Sequence, residues 1–143
     1  MNKNTSLRYI PFIGAGLVIL TVLILTFIVI PSVILDKNPG ATPDSAIFGI
    51  AVIIILHLLI VYAFREAIIV DKRGGRFKKT VFIVSGIGLT LLGLIIIDGA
   101  SAYSGSDNMH VAGFLMFVCV VFDLIAAVLA FLGLFFRPNT SEK

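Results

Sequence analysis

Two ionisable side chains lie in the middle of apolar runs long enough to cross a bilayer. Asp123 sits at the centre of VAGFLMFVCVVFDLIAAVLAFLGLFF, residues 111–136, about 18 Å from either end at roughly 1.5 Å per residue. A charge at that depth costs about 2.5–3.5 kcal/mol on insertion scales, so a partner must neutralise it or the protein must use it. His57 lies beside Leu56, at the centre of a second apolar run. Ionisable groups inside membranes mark ion paths, proton relays and counter-ion sites, and imidazole exchanges protons near neutral pH. A carboxyl and an imidazole at one depth are therefore suited to a proton relay or to a polar clamp between helices.

The residues around each group indicate where it points. Positions three, four and seven away share a helical face, and for Asp123 they are Cys119, Ala126, Ala127 and Ala130, with Ala112 further out. Small stripes let membrane helices approach closely, so Asp123 is expected to face protein and not lipid. The third apolar run carries a comparable stripe of Gly86, Thr90 and Gly93, with Ser85 and Gly88 adjacent. Thr90 is central in that run, and Thr21 and Thr26 flank the centre of the first. His57 has only Ile53, Ile54, Ile60 and Val61 as helical neighbours, so it faces a partner helix or another subunit.

These positions predict a polar layer of His57, Thr90 and Asp123 at mid-depth. The helices that carry it should pack through Gly86, Gly93, Cys119, Ala126, Ala127 and Ala130. In a simple bundle His57 and Asp123 occupy a diagonal of roughly 13 Å between axes, given neighbours about 8–10 Å apart. Inward-pointing side chains span that distance directly, through a water, or through Thr90. The alternatives are a protonated Asp123 bonded to a backbone carbonyl or to hydroxyls of the third helix, and contact with another subunit.

Other chemistry is poorly supported. Nucleophilic catalysis needs a positioned Ser or Cys with a base, and a lone buried Cys119 is more often packing. Asp107 and His110 lie three residues apart, but a zinc site uses three or four ligands. His57 and His110 sit at different depths, which argues against a bis-histidine haem within one chain. No enzyme activity, cofactor or metal is expected.

The elements that must hold these groups are membrane spans. Of 143 residues, 59% are hydrophobic and 13% charged, where a soluble domain has about a quarter charged; the mean hydropathy is +1.11. The apolar residues gather into runs at 12–35, 47–64, 81–97 and 111–136, each near the ~20 residues that cross ~30 Å of hydrocarbon. Backbone groups in lipid must be satisfied locally, which demands helices. The fold expected is an all-α membrane protein, one domain over residues 1–143, with four transmembrane helices in an up-down bundle at about 10–35, 43–72, 78–99 and 108–137. Thr42-Pro43-Asp44-Ser45 reads as a helix start. Asp107 and Asn108 can cap the fourth helix, Gly74-Gly75 separates the second from the third, and Pro31 is expected to kink the first.

Charge sets the orientation. Of eleven Lys and Arg residues, only Lys37 lies on the outer side; Lys3, Arg8, Arg65, Lys72, Arg73, Arg76, Lys78, Lys79, Arg137 and Lys143 lie on the other. The positive-inside rule then puts both termini in the cytoplasm, in a plasma or inner membrane. The first apolar run is too long for a signal peptide and no small-x-small cleavage site follows it. Asp36, Asp44, Asp98 and Asp107 make the outer face acidic. The net charge of +3 sits at helix ends and does not suggest nucleic acid. Lys72, Arg73, Arg76, Lys78 and Lys79 form a patch suited to anionic lipid headgroups or a cytoplasmic partner, although topology alone explains it.

The function expected is that of a small, non-enzymatic polytopic protein, a subunit of a homo-oligomer or a larger membrane complex. Its partners would be copies of itself or other membrane subunits, and its polar layer would serve assembly or gating. The alternative is a small homo-oligomeric cation channel or proton-conducting unit using Asp123 and His57. No helix carries a continuous polar stripe for a wide pore, and below the layer Tyr62 is the only plausible relay.

Overall fold

The structure, a computed structural model, describes residues 10–35, 43–69, 75–103 and 110–135. All of these are helical. We label residues 10–35 α1, Pro43–Ile69 α2, Gly75–Tyr103 α3 and His110–Phe135 α4. Each is long and apolar enough to cross a membrane, over Phe12–Leu35, Ala46–Glu66, Lys79–Ser101 and Val111–Gly133. The described residues are all helical, and the four apolar helices mark a membrane-embedded protein.

Helix α1 is not uniform. It runs as α-helix over Ile10–Ile24, widens to a π-helix over Leu25–Val29, and resumes over Ile30–Leu35. The Ile30 N–H donates to the Leu25 carbonyl, five residues back. Pro31 explains the location. Its ring crowds the carbonyl four residues earlier and it donates no hydrogen bond, and a widened turn just before it relieves the crowding. The kink expected at Pro31 thus takes the form of a π segment. Next to it, Ser32 Oγ donates to the Ile28 carbonyl at 2.7 Å.

Helix α3 is longer than the 78–99 expected. It begins at Gly75, so this glycine is the first helical residue and not part of a break, and it continues to Tyr103. Helix bonds remain the best way to satisfy backbone groups where a span passes into the interfacial zone. The proposed cap at Asp107 and Asn108, and the extension of α2 to residue 72, fall outside the described residues.

Close approach is concentrated between α3 and α4, then between α1 and α4, with α2 packed on α1 and more thinly on α3. Glycine notches explain the α3–α4 interface. A Cβ on Gly86 would lie 2.7 Å from Phe131 Cζ, and one on Gly99 3.1 Å from Met116 Cε. Side chains of α4 therefore seat directly on the α3 backbone, the geometry that drives association where lipid removes the hydrophobic drive. The buried positions of α1 are Gly14, Val18, Thr21, Leu25, Val29 and Val33; from Thr21 onward their spacing stays at four through the widened turn.

The apolar interior forms two separate clusters. One contains Leu25, Val29, Val33, Ile50, Ile96, Ala100, Ala112, Met116, Cys119 and Val120. The other contains Val18, Phe64, Phe82, Leu89, Ala126, Ala127 and Ala130. On α1, α2 and α4, the residues numbered between the clusters include Thr21, His57 and Asp123.

Candidate functional site: a polar layer at mid-span

Thr21, His57 and Asp123 are all fully buried and lie near the middle of their spans. His57 Nε2 is 3.0 Å from Asp123 Oδ2, with both side chains at 0% exposure. Thr21 Oγ1 donates to Asp123 Oδ1 at 3.1 Å. His57 Nδ1 is 2.8 Å from the Ile53 carbonyl, one turn back on α2. One hydrogen-bonded chain therefore joins α2, α4 and α1. The backbones of α2 and α4 scarcely approach each other, so the His57–Asp123 bond is made by side chains reaching across the interior.

This geometry fixes a proton count. A carbonyl oxygen can only accept, so Nδ1 carries a hydrogen and donates it to Ile53. A neutral imidazole has one N–H, which leaves Nε2 as an acceptor unless the ring is doubly protonated. A bond between Nε2 and Oδ2 then requires one proton between them, on the carboxyl or on the ring. In either form the pair has no net charge, which is how the layer avoids the cost of an isolated ion at that depth.

The composition of the layer differs from expectation at one position. Thr90 Oγ1 donates to the Gly86 carbonyl of its own helix at 2.9 Å, and the hydroxyl on Asp123 is that of Thr21. A helical threonine commonly satisfies its hydroxyl on the carbonyl four residues back. At Asp123, α3 instead contributes Gly93, where a Cβ would sit 4.0 Å from Asp123 Cβ. Gly86, Gly93, Cys119, Ala126, Ala127 and Ala130 are all buried. The mid-span position of Thr21 was one available signal and the buried Gly14, seven residues back on its face, a second, but its neighbours one turn away, Leu17, Val18, Ile24 and Leu25, are all sizeable aliphatics.

The two hydroxyls are separable by experiment. Thr21→Val should lower stability by about 1 kcal/mol, in the range measured for hydrogen bonds between membrane helices. Thr90→Val should cost less than about 0.5 kcal/mol, since that bond links no two helices. Unfolding in mixed micelles measures both, and equal losses would contradict the placement of Thr21.

The remaining sequence candidates whose side chains the structure describes do not join this layer. Lys79, Arg65, Asp44 and Asp98 are exposed and Glu66 is half-buried. Arg76 and Lys78 lie in the first turn of α3; Lys72, Arg73, Asp36 and Asp107 fall outside the described residues. Among the described residues, no group of three His, Cys, Asp or Glu side chains is placed to hold a metal ion. No protein-family model matches the chain, and neither a curated protein nor a solved structure does.

Proposed function

We propose that this chain is a small, non-enzymatic polytopic membrane protein, a subunit of a homo-oligomer or larger membrane assembly, whose polar layer fixes how its own helices meet. One observation carries the reading. Both Asp123 oxygens and both His57 ring nitrogens have partners within the chain, with apolar packing on either side. A layer so closed is suited to setting register, and its bonds leave little call for a second subunit at that level. Contacts with copies or other subunits would then use the lipid-facing surface.

The reading includes an up-down course with both termini cytoplasmic. Residues 36–42, 70–74 and 104–109 are connections of the length that joins adjacent helices of a bundle, and the distribution of Lys and Arg gives the orientation. It places Lys72, Arg73, Arg76, Lys78 and Lys79 at the cytoplasmic headgroups, where anionic lipid would hold them, and it assigns the protein to a plasma or inner membrane.

The competing reading is a cation channel or proton-conducting unit. The single proton of the His57–Asp123 bond favours it; the apolar clusters on both sides oppose it. Purified protein in liposomes separates the two. The subunit reading expects no ion or pH flux above empty liposomes and recovery of a larger assembly after crosslinking in native membranes. A flux abolished by Asp123→Asn would establish the channel reading instead, and recovery as a monomer alone would sink the subunit assignment.

A further inference from the structure

The four helices are unequally embedded. The buried share of the span is 39% for α3 and for α4, 28% for α1, and 17% for α2. Helix α2 meets α3 over the smallest of the interfaces between chain-adjacent helices, and its outward face carries Phe48, Ile55, Leu58, Leu59 and Tyr62, each at least half exposed. Lipid tails satisfy such a face as well as protein does. At mid-span Ile53, Ile54, Ile60 and Val61 give α2 apolar contact with the interior, and its polar tie is His57, through a bond to a helix whose backbone it scarcely approaches.

We propose that Thr21, Asp123 and His57 form a latch with a single proton as its bolt, which fastens α2 to a core made by α1, α3 and α4. The inference rests on, and deepens, the role proposed above for the polar layer in fixing how the helices meet. The core side of the latch is rigidly held: Asp123 is anchored by Thr21 from α1 and rests beside Gly93 of α3. The α2 side is also preset, because the Ile53 carbonyl holds the Nδ1 hydrogen and aims Nε2 inward. With both ends fixed, the bond depends on one proton between Nε2 and Oδ2. Without it a carboxylate would face an imidazole lone pair, and attraction would become repulsion. Among the described residues the only other buried side chain able to release a proton to a base is Cys119, one turn before Asp123 on α4; α1 and α3 bring no ionisable group to this level.

Substitutions at the bolt discriminate. Asp123→Asn replaces the proton by a permanent donor: the amide N–H can donate to Nε2 while the amide oxygen accepts from Thr21. The pair of substitutions His57→Leu and Asp123→Leu removes the latch without leaving an orphaned carboxyl, so the protein can still fold. Amide hydrogen exchange of full-length protein in lipid nanodiscs, resolved helix by helix, reads the result. The double variant should accelerate exchange in α2 about fivefold relative to wild type, with α1, α3 and α4 changed less than about twofold; Asp123→Asn should leave α2 at the wild-type rate. Unchanged exchange of α2 in the double variant would overturn the latch, as would equal acceleration of all four helices. Acceleration of α2 by Asp123→Asn comparable to the double variant would overturn the assignment of a donor proton to the bond. These outcomes concern α2 alone and stand apart from the flux and assembly tests, so either proposal can fail without the other.

Discussion

Replacing His57 with leucine is expected to destabilise the protein by about 3 kcal/mol, the cost typical of breaking a buried pair by deleting one partner. Most of that loss belongs to the partner left behind. Asp123 Oδ1 keeps the Thr21 hydroxyl, but Oδ2 loses its only described partner, and α3 meets Asp123 at Gly93, which has no side chain to offer in its place. Adding Asp123→Leu to His57→Leu should recover roughly 2 kcal/mol, because a buried pair replaced on both sides by apolar groups leaves neither partner unsatisfied, and the Thr21 hydroxyl, deprived of Oδ1, can turn to the carbonyl four residues back on its own helix. The remaining deficit, about 1 kcal/mol, is the worth of a hydrogen bond between membrane helices. Reversible unfolding in mixed micelles of the two single variants and the double measures the coupling directly. Additive losses, with the double variant worse than His57→Leu alone, would show that the two side chains do not act as a pair.

The sequence made depth readable and rotation only partly so. Counting along an apolar run locates its centre, and every polar residue of the layer lies near one. The rotation of α4 was also readable, because Cys119, Ala126, Ala127 and Ala130 mark a narrow small-residue face and all four are buried. Helix α1 is marked less clearly: its small residues Gly14, Ala15 and Gly16 gather near one end, and large aliphatic residues flank Thr21 one turn to either side. Only Gly14, two turns back, set Thr21 apart from Thr26, and neither took precedence over Thr90, whose glycine neighbours signalled a close helix–helix contact. That contact exists, but its tightness serves packing, and the Thr90 hydroxyl is spent on the Gly86 carbonyl. The π segment adds a second obstacle. A widened turn shifts the angular phase of every later residue, so a face extrapolated at 3.6 residues per turn from Thr21 misses the outer half of α1. Pro31 announced a distortion there without specifying its form.

The same distinction between polar bonding and close packing frames the effect of filling Gly86. This residue lies on the α3 face that meets α4, and the tip of the Phe131 ring already occupies the place of its missing side chain, with Cζ, Cε2 and Cε1 at 2.7, 2.9 and 3.0 Å from an ideal Cβ. The contacting atoms are the far end of a side chain, so Gly86→Ala is expected to be absorbed by a small swing of the ring at less than about 1 kcal/mol. Gly86→Leu leaves the ring no room and must push α3 from α4, the broadest interface among the described residues. Overpacking of this kind costs about 2–3 kcal/mol. The strain would also be felt at the polar layer, since Gly93 lies two turns along the same face and rests beside Asp123. A shift there lengthens the bonds from Thr21 and His57, both of which converge on α4. Truncating the knob tests this account: Gly86→Leu combined with Phe131→Ala should recover more than half of the lost stability, because the leucine then fills the space the ring vacates. If the double variant is no more stable than Gly86→Leu alone, then Phe131 does not set the spacing of α3 and α4, and the notch at Gly86 is incidental to how Asp123 is held.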